Sequence, residues 1–196
     1  MNERSGDWIQ TFTGRRFWPL DPRPEEIDIR DVARSLAHLC RWTGHCQRFL
    51  SVAQHSVLVA SLAPPGRKGL WWLLHDAAEA YLGDVSRPLK RSLRIVVNYY
   101  DPPWTFEEVE EQLLRAVAVR FDLPPLDETD RKALRLADDR LLATEVRDLM
   151  TSDPECWGKW LDGIVPLPET IHPWSPKIAE RAFLNRFGEL GGEIGG

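Results

Sequence analysis

The sequence predicts an all-α single-domain helical bundle, and three observations carry that prediction. Apolar residues recur at helical spacing in one stretch after another, no segment alternates apolar and polar residues for any length, and no linker divides the 196 residues. The composition, 43% hydrophobic and 28% charged, suits an ordinary globular chain long enough to bury a substantial core. The expected organisation is one domain over residues 1–187 and a flexible Gly-rich tail over 188–196.

The elements follow in order. "IRDVARSLAHLC" (29–40) repeats Ile29, Val32, Leu36, Leu39 and Cys40 at helical spacing. "SVAQHSVLVASLA" (51–63) begins at Ser51, a good N-cap, and stops at "PPG". A third helix is expected from about Arg67 to Leu82, ending at Gly83 as its C-cap. "RPLKRSL" opens a short fourth, and "DPPW" at 101–104 breaks the chain. "TFEEVEEQLLRAVAVRFDL" (105–123) carries acids at its start, as does "DETDRKALRLADDRLLATEVRDLM" (127–150) after its cap Asp127. "SPKIAERAFLNRF" (175–187) is the last.

The charge balance narrows the partners. A formal net charge of −5 argues against wrapping duplex nucleic acid, which needs a surplus of Lys and Arg on one face. No apolar run approaches the roughly 20 residues of a membrane span, and the N-terminus lacks the apolar core of a signal peptide, so a cytoplasmic protein is expected. Three cysteines, Cys40, Cys46 and Cys156, suit a reducing compartment better than a disulfide framework. Cys40, His45 and Cys46 lack the paired spacing of a structural zinc knot.

Helical phase selects the polar residues that face inward. His55 falls at the centre of the apolar face made by Val52, Leu58, Val59 and Leu62. His75 and Asp76 are adjacent on a leucine-rich surface, and Asp138 and Glu145 lie among Leu134, Leu141, Leu142, Val146 and Leu149, with Asp139 turned toward the edge. A buried imidazole beside a carboxylate is costly to desolvate, and a bound cation compensates both. Two imidazoles and two carboxylates form a mixed nitrogen and oxygen set suited to Zn, Mn, Co, Fe or Mg. Phase shows that each points inward; it does not show that they meet. Nine tryptophans are unusually many, and among Trp8, Phe17 and Trp18 two are expected in the core.

"HSVLV" at 55–59, "HDAAEAYLGD" at 75–84 and "ADDRLLATE" at 137–145 resemble the ordered H, HD and D elements of the HD-domain metal-dependent phosphohydrolases. The resemblance is strongest to the compact branch of bacterial 5'-deoxynucleotidases and phage dATP triphosphohydrolases, and it runs from about Trp8 to Phe187. It implies an HD-type bundle with a metal site in its core, in which His55, His75, Asp76 and Asp138 are metal ligands. Glu79 and Asp84 are then the acid/base and water-positioning carboxylates. Arg41 and Trp42 resemble the pair that holds phosphate and sugar, with His45, Arg48 and Lys90 as further substrate-binding candidates.

The implied activity is hydrolysis of a deoxynucleoside monophosphate to deoxynucleoside and phosphate by a divalent metal ion. The alternative is release of triphosphate from a dNTP. Hydrolysis of a cyclic nucleotide or (p)ppGpp and non-catalytic nucleotide binding are weaker readings. The expected partner is a small nucleotide, and whether the chain is a monomer or a homo-oligomer is left open.

Overall fold

The structure is a computed structural model that describes residues 4, 6–97, 100–151, 157 and 161–194. Cys156 lies outside the described residues. The chain is mostly helical, and four of its helices start where a side chain satisfies one of the first free amides. α1 (Ile29–His38) is capped by the Asp28 carboxylate, which accepts from the Arg30 amide. α2 (Val52–Ser61) is capped by Ser51, whose hydroxyl accepts from the Gln54 amide. The third expected helix is interrupted: α3 (Leu70–Leu74) and α4 (Glu79–Leu82) flank a tight turn over 75–78. α5 (Arg87–Ser92) is short. α6 (Phe106–Arg120) and α7 (Glu128–Leu149) both open on reciprocal capping boxes, Thr105 with Glu108 and Asp127 with Asp130. α8 (Pro176–Glu189) begins with proline in its first turn.

Two features depart from the expected pure helix. β1 (Ile9–Gln10) pairs antiparallel with β2 (Arg16–Phe17), and β3 (Arg94–Ile95) with β4 (Trp104–Thr105). Strands of two residues are too short for an alternating pattern to register. The first hairpin is fastened to α1 through Asp31, which accepts from the Thr13 amide (2.6 Å) and hydroxyl (2.8 Å). Phe17 is fully buried, Trp18 is half-buried and Trp8 is exposed, so one of the three aromatics belongs to the core.

The core lies where α1 and α2 pack against α8, with Leu36, Leu73, Phe183 and Phe187 fully buried. The residues expected to begin a flexible tail instead finish this packing. Leu190 is buried, the Gly191 carbonyl accepts from Arg67 (2.6 Å), and a Cβ on Gly192 would collide with the Phe187 ring. α2 is held in place at both ends. Its C-terminal Ala60 carbonyl accepts from Arg186 (2.8 Å), and Gln54 bonds the His172 carbonyl (2.8 Å) and the Trp174 amide (2.7 Å).

Candidate metal centre

Three helical units bring the inward polar residues together. His55 comes from the middle of α2, His75 and Asp76 from the turn after α3, and Asp138 from α7. The turn over 75–78 has a local cause. The His75 ring donates from Nδ1 to the Trp72 carbonyl (2.9 Å), the group that a continuous helix would offer to the Asp76 amide. Shorter-range bonds replace it, from the Ala77 amide to Leu74 and from the Glu79 amide to Asp76. Glu79 thus sits at the start of α4 rather than further along one helix, and still comes back over the same site.

The donor atoms converge. His55 Nε2 lies 3.2 Å from His75 Nε2 and 3.1 Å from Asp138 Oδ1, and His75 Nε2 lies 3.9 Å from that same oxygen. Asp76 Oδ2 is 3.3 Å from His75 Nε2 and 3.6 Å from His55 Nε2. Bonds of about 2.0–2.1 Å to one ion at angles between right and tetrahedral separate ligand atoms by about 2.9–3.4 Å, which matches the closest of these spacings. His55, His75 and Asp138 lie close enough to hold a metal ion.

Hydrogen bonding fixes which imidazole nitrogens face that point. His55 is fully buried, and its Nδ1 donates to Glu145 Oε1 at 2.7 Å. His75 Nδ1 faces a carbonyl, which only accepts. Both rings therefore direct their Nδ1 protons outward and turn their Nε2 atoms toward each other, the arrangement that metal-bound histidines share. The cluster draws positive charge. Against the cost of burial, Asp76 and then Asp138 push His75 up to about 9. Burial works against the ionised Asp76 too, and the His75 charge still holds it well below the ordinary carboxylate range. Asp138 falls to about 2, because the hydrogen bond and charge of His55 overcome its own burial.

Glu145, inward on α7 and fully buried, joins the cluster to the loop before α2. Its Oε2 accepts from Arg41 Nε and Trp42 Nε1, both at 3.0 Å, while Oε1 holds His55. Arg41 also reaches Asp76 at 3.6 Å. The loop is pinned by Arg41 N to Leu50 O (2.8 Å) and by Gln47 N to Leu149 O (2.8 Å). Trp42 and Thr43 both adopt positive φ, 59° and 52°, followed by Gly44 at 81°. That left-handed turn puts the Arg41 and Trp42 side chains on one carboxylate.

Glu79 and Lys90 line a cavity beside the cluster. A cavity of about 350 Å³ is lined by His75, Asp76, Ala78, Glu79, Lys90, Glu107, Glu110, Glu111 and Leu114. Burial, with the charges of Asp76 and Asp84, pushes Glu79 up to about 9, and its buried Oε2 has no hydrogen-bond partner. Lys90 Nζ bonds Glu110 at 2.6 Å and approaches Glu79 Oε1 at 3.4 Å. Glu110 is a site residue that the sequence did not single out, since nothing in its spacing relates it to Lys90. Asp84 follows Gly83, whose φ of 81° turns the chain, and burial raises its pKa ahead of the opposing Arg41 charge. His45 and Arg48 are exposed, and among the described residues no hydrogen bond or ion pair joins either to the cluster.

Fold and site together define a mostly helical protein with an inward His/Asp cluster able to hold a metal ion. The chain belongs to the family of the "Uncharacterized protein YfdR" of Escherichia coli K12, with 36% identity over 185 residues, 93% of this chain and 95% of that protein. It is also 37% identical over 140 residues, 67% of each chain, to the "Uncharacterized protein RCAP_rcc00048" of Rhodobacter capsulatus. No protein-family model matches the chain. No helix among the described residues is long and apolar enough to cross a membrane.

Proposed function

We propose that the chain is an HD-type phosphohydrolase, dependent on a divalent metal ion, that removes the 5'-phosphate of a deoxynucleoside monophosphate. The observation that carries this reading is the pair of imidazole Nε2 atoms 3.2 Å apart, with Asp138 and Asp76 beside them. An ion bound there supplies Lewis acidity, neutralising charge on a phosphate oxygen and acidifying a water. His55 and His75 would hold it through Nε2 once their Nε2 protons are displaced, with the rings oriented by Glu145 and the Trp72 carbonyl.

The other residues take their roles from position and protonation. Glu79, protonated at neutral pH and open to the cavity, donates a proton to the leaving 5'-oxygen. Asp84 accepts a hydrogen bond from the attacking water and orients it. Arg41, held against Glu145 and Asp76, presents its remaining donors to phosphate, and Trp42 packs against the sugar. The monophosphate is favoured over the triphosphate by the charge of the cavity. Among the described residues, Lys90 is the one Lys or Arg lining the cavity and is already paired with Glu110, while Glu107 and Glu111 add negative charge. A triphosphate tail would meet these carboxylates unpaired.

The test is a panel of deoxynucleoside mono- and triphosphates incubated with the protein loaded with Mn or Co. Release of inorganic phosphate from the monophosphates is the expected result. Release of triphosphate selects the dNTP alternative, and no turnover by a metal-loaded protein overturns the hydrolase reading.

A further inference from the structure

Cys40 and Cys46 bracket the turn that carries Arg41 and Trp42, and their sulfurs lie 3.8 Å apart, in van der Waals contact. Both are half-buried, while the intervening Thr43, Gly44 and His45 are exposed, so a small oxidant reaches the pair from solvent. The two ends of the segment are already closed onto each other. Arg41 N donates to Leu50 O and Val52 N to Leu39 O, with Cys40 and Ser51 forming an antiparallel bridge. Cys46 Sγ in addition lies 3.8 Å from the Arg41 carbonyl. The backbone therefore holds the two thiols together without help from a bond between them.

We propose that Cys40 and Cys46 form a reversible intramolecular disulfide, made by a peroxide and undone by a dithiol, that locks the Arg41–Trp42 turn. The reaction begins at one of the two thiols, here Cys46. Its sulfur attacks one oxygen of hydrogen peroxide, the O–O bond breaks, and a sulfenic acid and water result. Cys40 sulfur then attacks the Cys46 sulfur; the S–S bond forms, the S–O bond breaks, and the departing hydroxide leaves as water with the Cys40 proton. Two thiols are oxidised and one peroxide is reduced to two waters.

The bond restricts a short loop that contains three consecutive residues with positive φ, and so reduces the freedom of that turn in the unfolded chain. Its sulfurs already touch, so the Arg41 and Trp42 bonds to Glu145 are kept. This inference stands on the sulfur geometry and does not depend on the hydrolase reading. The experiment is treatment of the full-length protein with hydrogen peroxide, followed by proteolysis without reduction, peptide mass mapping and a thermal melt. The expected result is one crosslinked peptide joining Cys40 to Cys46 and a melting temperature higher by about 5 °C, both reversed by dithiothreitol. A Cys156→Ser variant should behave the same way. Sulfinic or sulfonic acid without a crosslink, a crosslink to Cys156, or no change in thiol content overturns the proposal. Mapping of the wild-type chain decides among these outcomes even if the variant fails to fold.

Discussion

Replacing Glu79 with Gln should stabilise the metal-free protein while disabling it. An ordinary glutamic acid titrates near 4.5, and Glu79, 6% exposed among Asp76 and Asp84, titrates near 9. A carboxyl raised in the folded state leaves stability intact below the unfolded value and removes it as pH rises toward the folded one. At pH 7 the folded chain carries a proton that the unfolded chain has released. The cost is about 1.4 kcal/mol for each pH unit above 4.5, or about 3 kcal/mol. Glutamine keeps the shape, cannot ionise, and aims an amide donor at the neighbouring carboxylates, while Lys90 keeps its bond to Glu110. The variant should therefore melt about 6–12 °C above the wild type at pH 7 in the presence of a chelator. The gap should widen from pH 6 to pH 8. On the proposed hydrolase reading, the same change in the metal-loaded protein should lower turnover by about 10²–10⁴-fold with metal content unchanged. Calorimetric melts of both proteins at three pH values provide the assay. A variant that melts at or below the wild type throughout, with a gap independent of pH, refutes the assignment of a buried proton to Glu79.

Three further outcomes are expected. Saturation of the chelated protein with Mn to about 100 times its dissociation constant should add about 2.7 kcal/mol to the unfolding free energy, and a melting curve indifferent to every divalent ion would contradict the metal centre. Asp138→Asn should abolish metal binding measured by titration calorimetry, whereas Asp139→Asn should stay within about 0.5 kcal/mol of wild-type stability and retain the metal; a reversed pattern would shift the assignment by one residue. Arg41→Ala leaves the Glu145 carboxylate buried without its guanidinium, and urea unfolding should register a loss of about 3–5 kcal/mol, with a loss under 1 kcal/mol showing that the pair is not structurally important.

Helix periodicity located most of this architecture because its signal is local. Val52, Leu58 and Val59 mark the inward face of α2 regardless of what packs on it, and His55 is read from the same count. Asp138 and Glu145 on α7 are found in the same way. The break between α3 and α4 was illegible, since it comes from the His75 ring taking the Trp72 carbonyl, a choice invisible to residue spacing. Lys90 and Glu110 meet across α5 and α6, and pairing between elements leaves no trace in a single sequence. The glycines after α8 suggest freedom in the sequence, whereas in the structure Gly192 lacks a side chain so that Phe187 can lie against it.

Glu145 serves two customers with one carboxylate: Oε1 orients His55, and Oε2 anchors Arg41 and Trp42. A cation on the first imidazole and an anion on the guanidinium would thus be coupled through a single buried group. Their affinities are thermodynamically linked. Whatever factor the cation applies to anion binding, the anion must apply to cation binding, and a titration of either ligand in the presence of the other measures the same coupling constant.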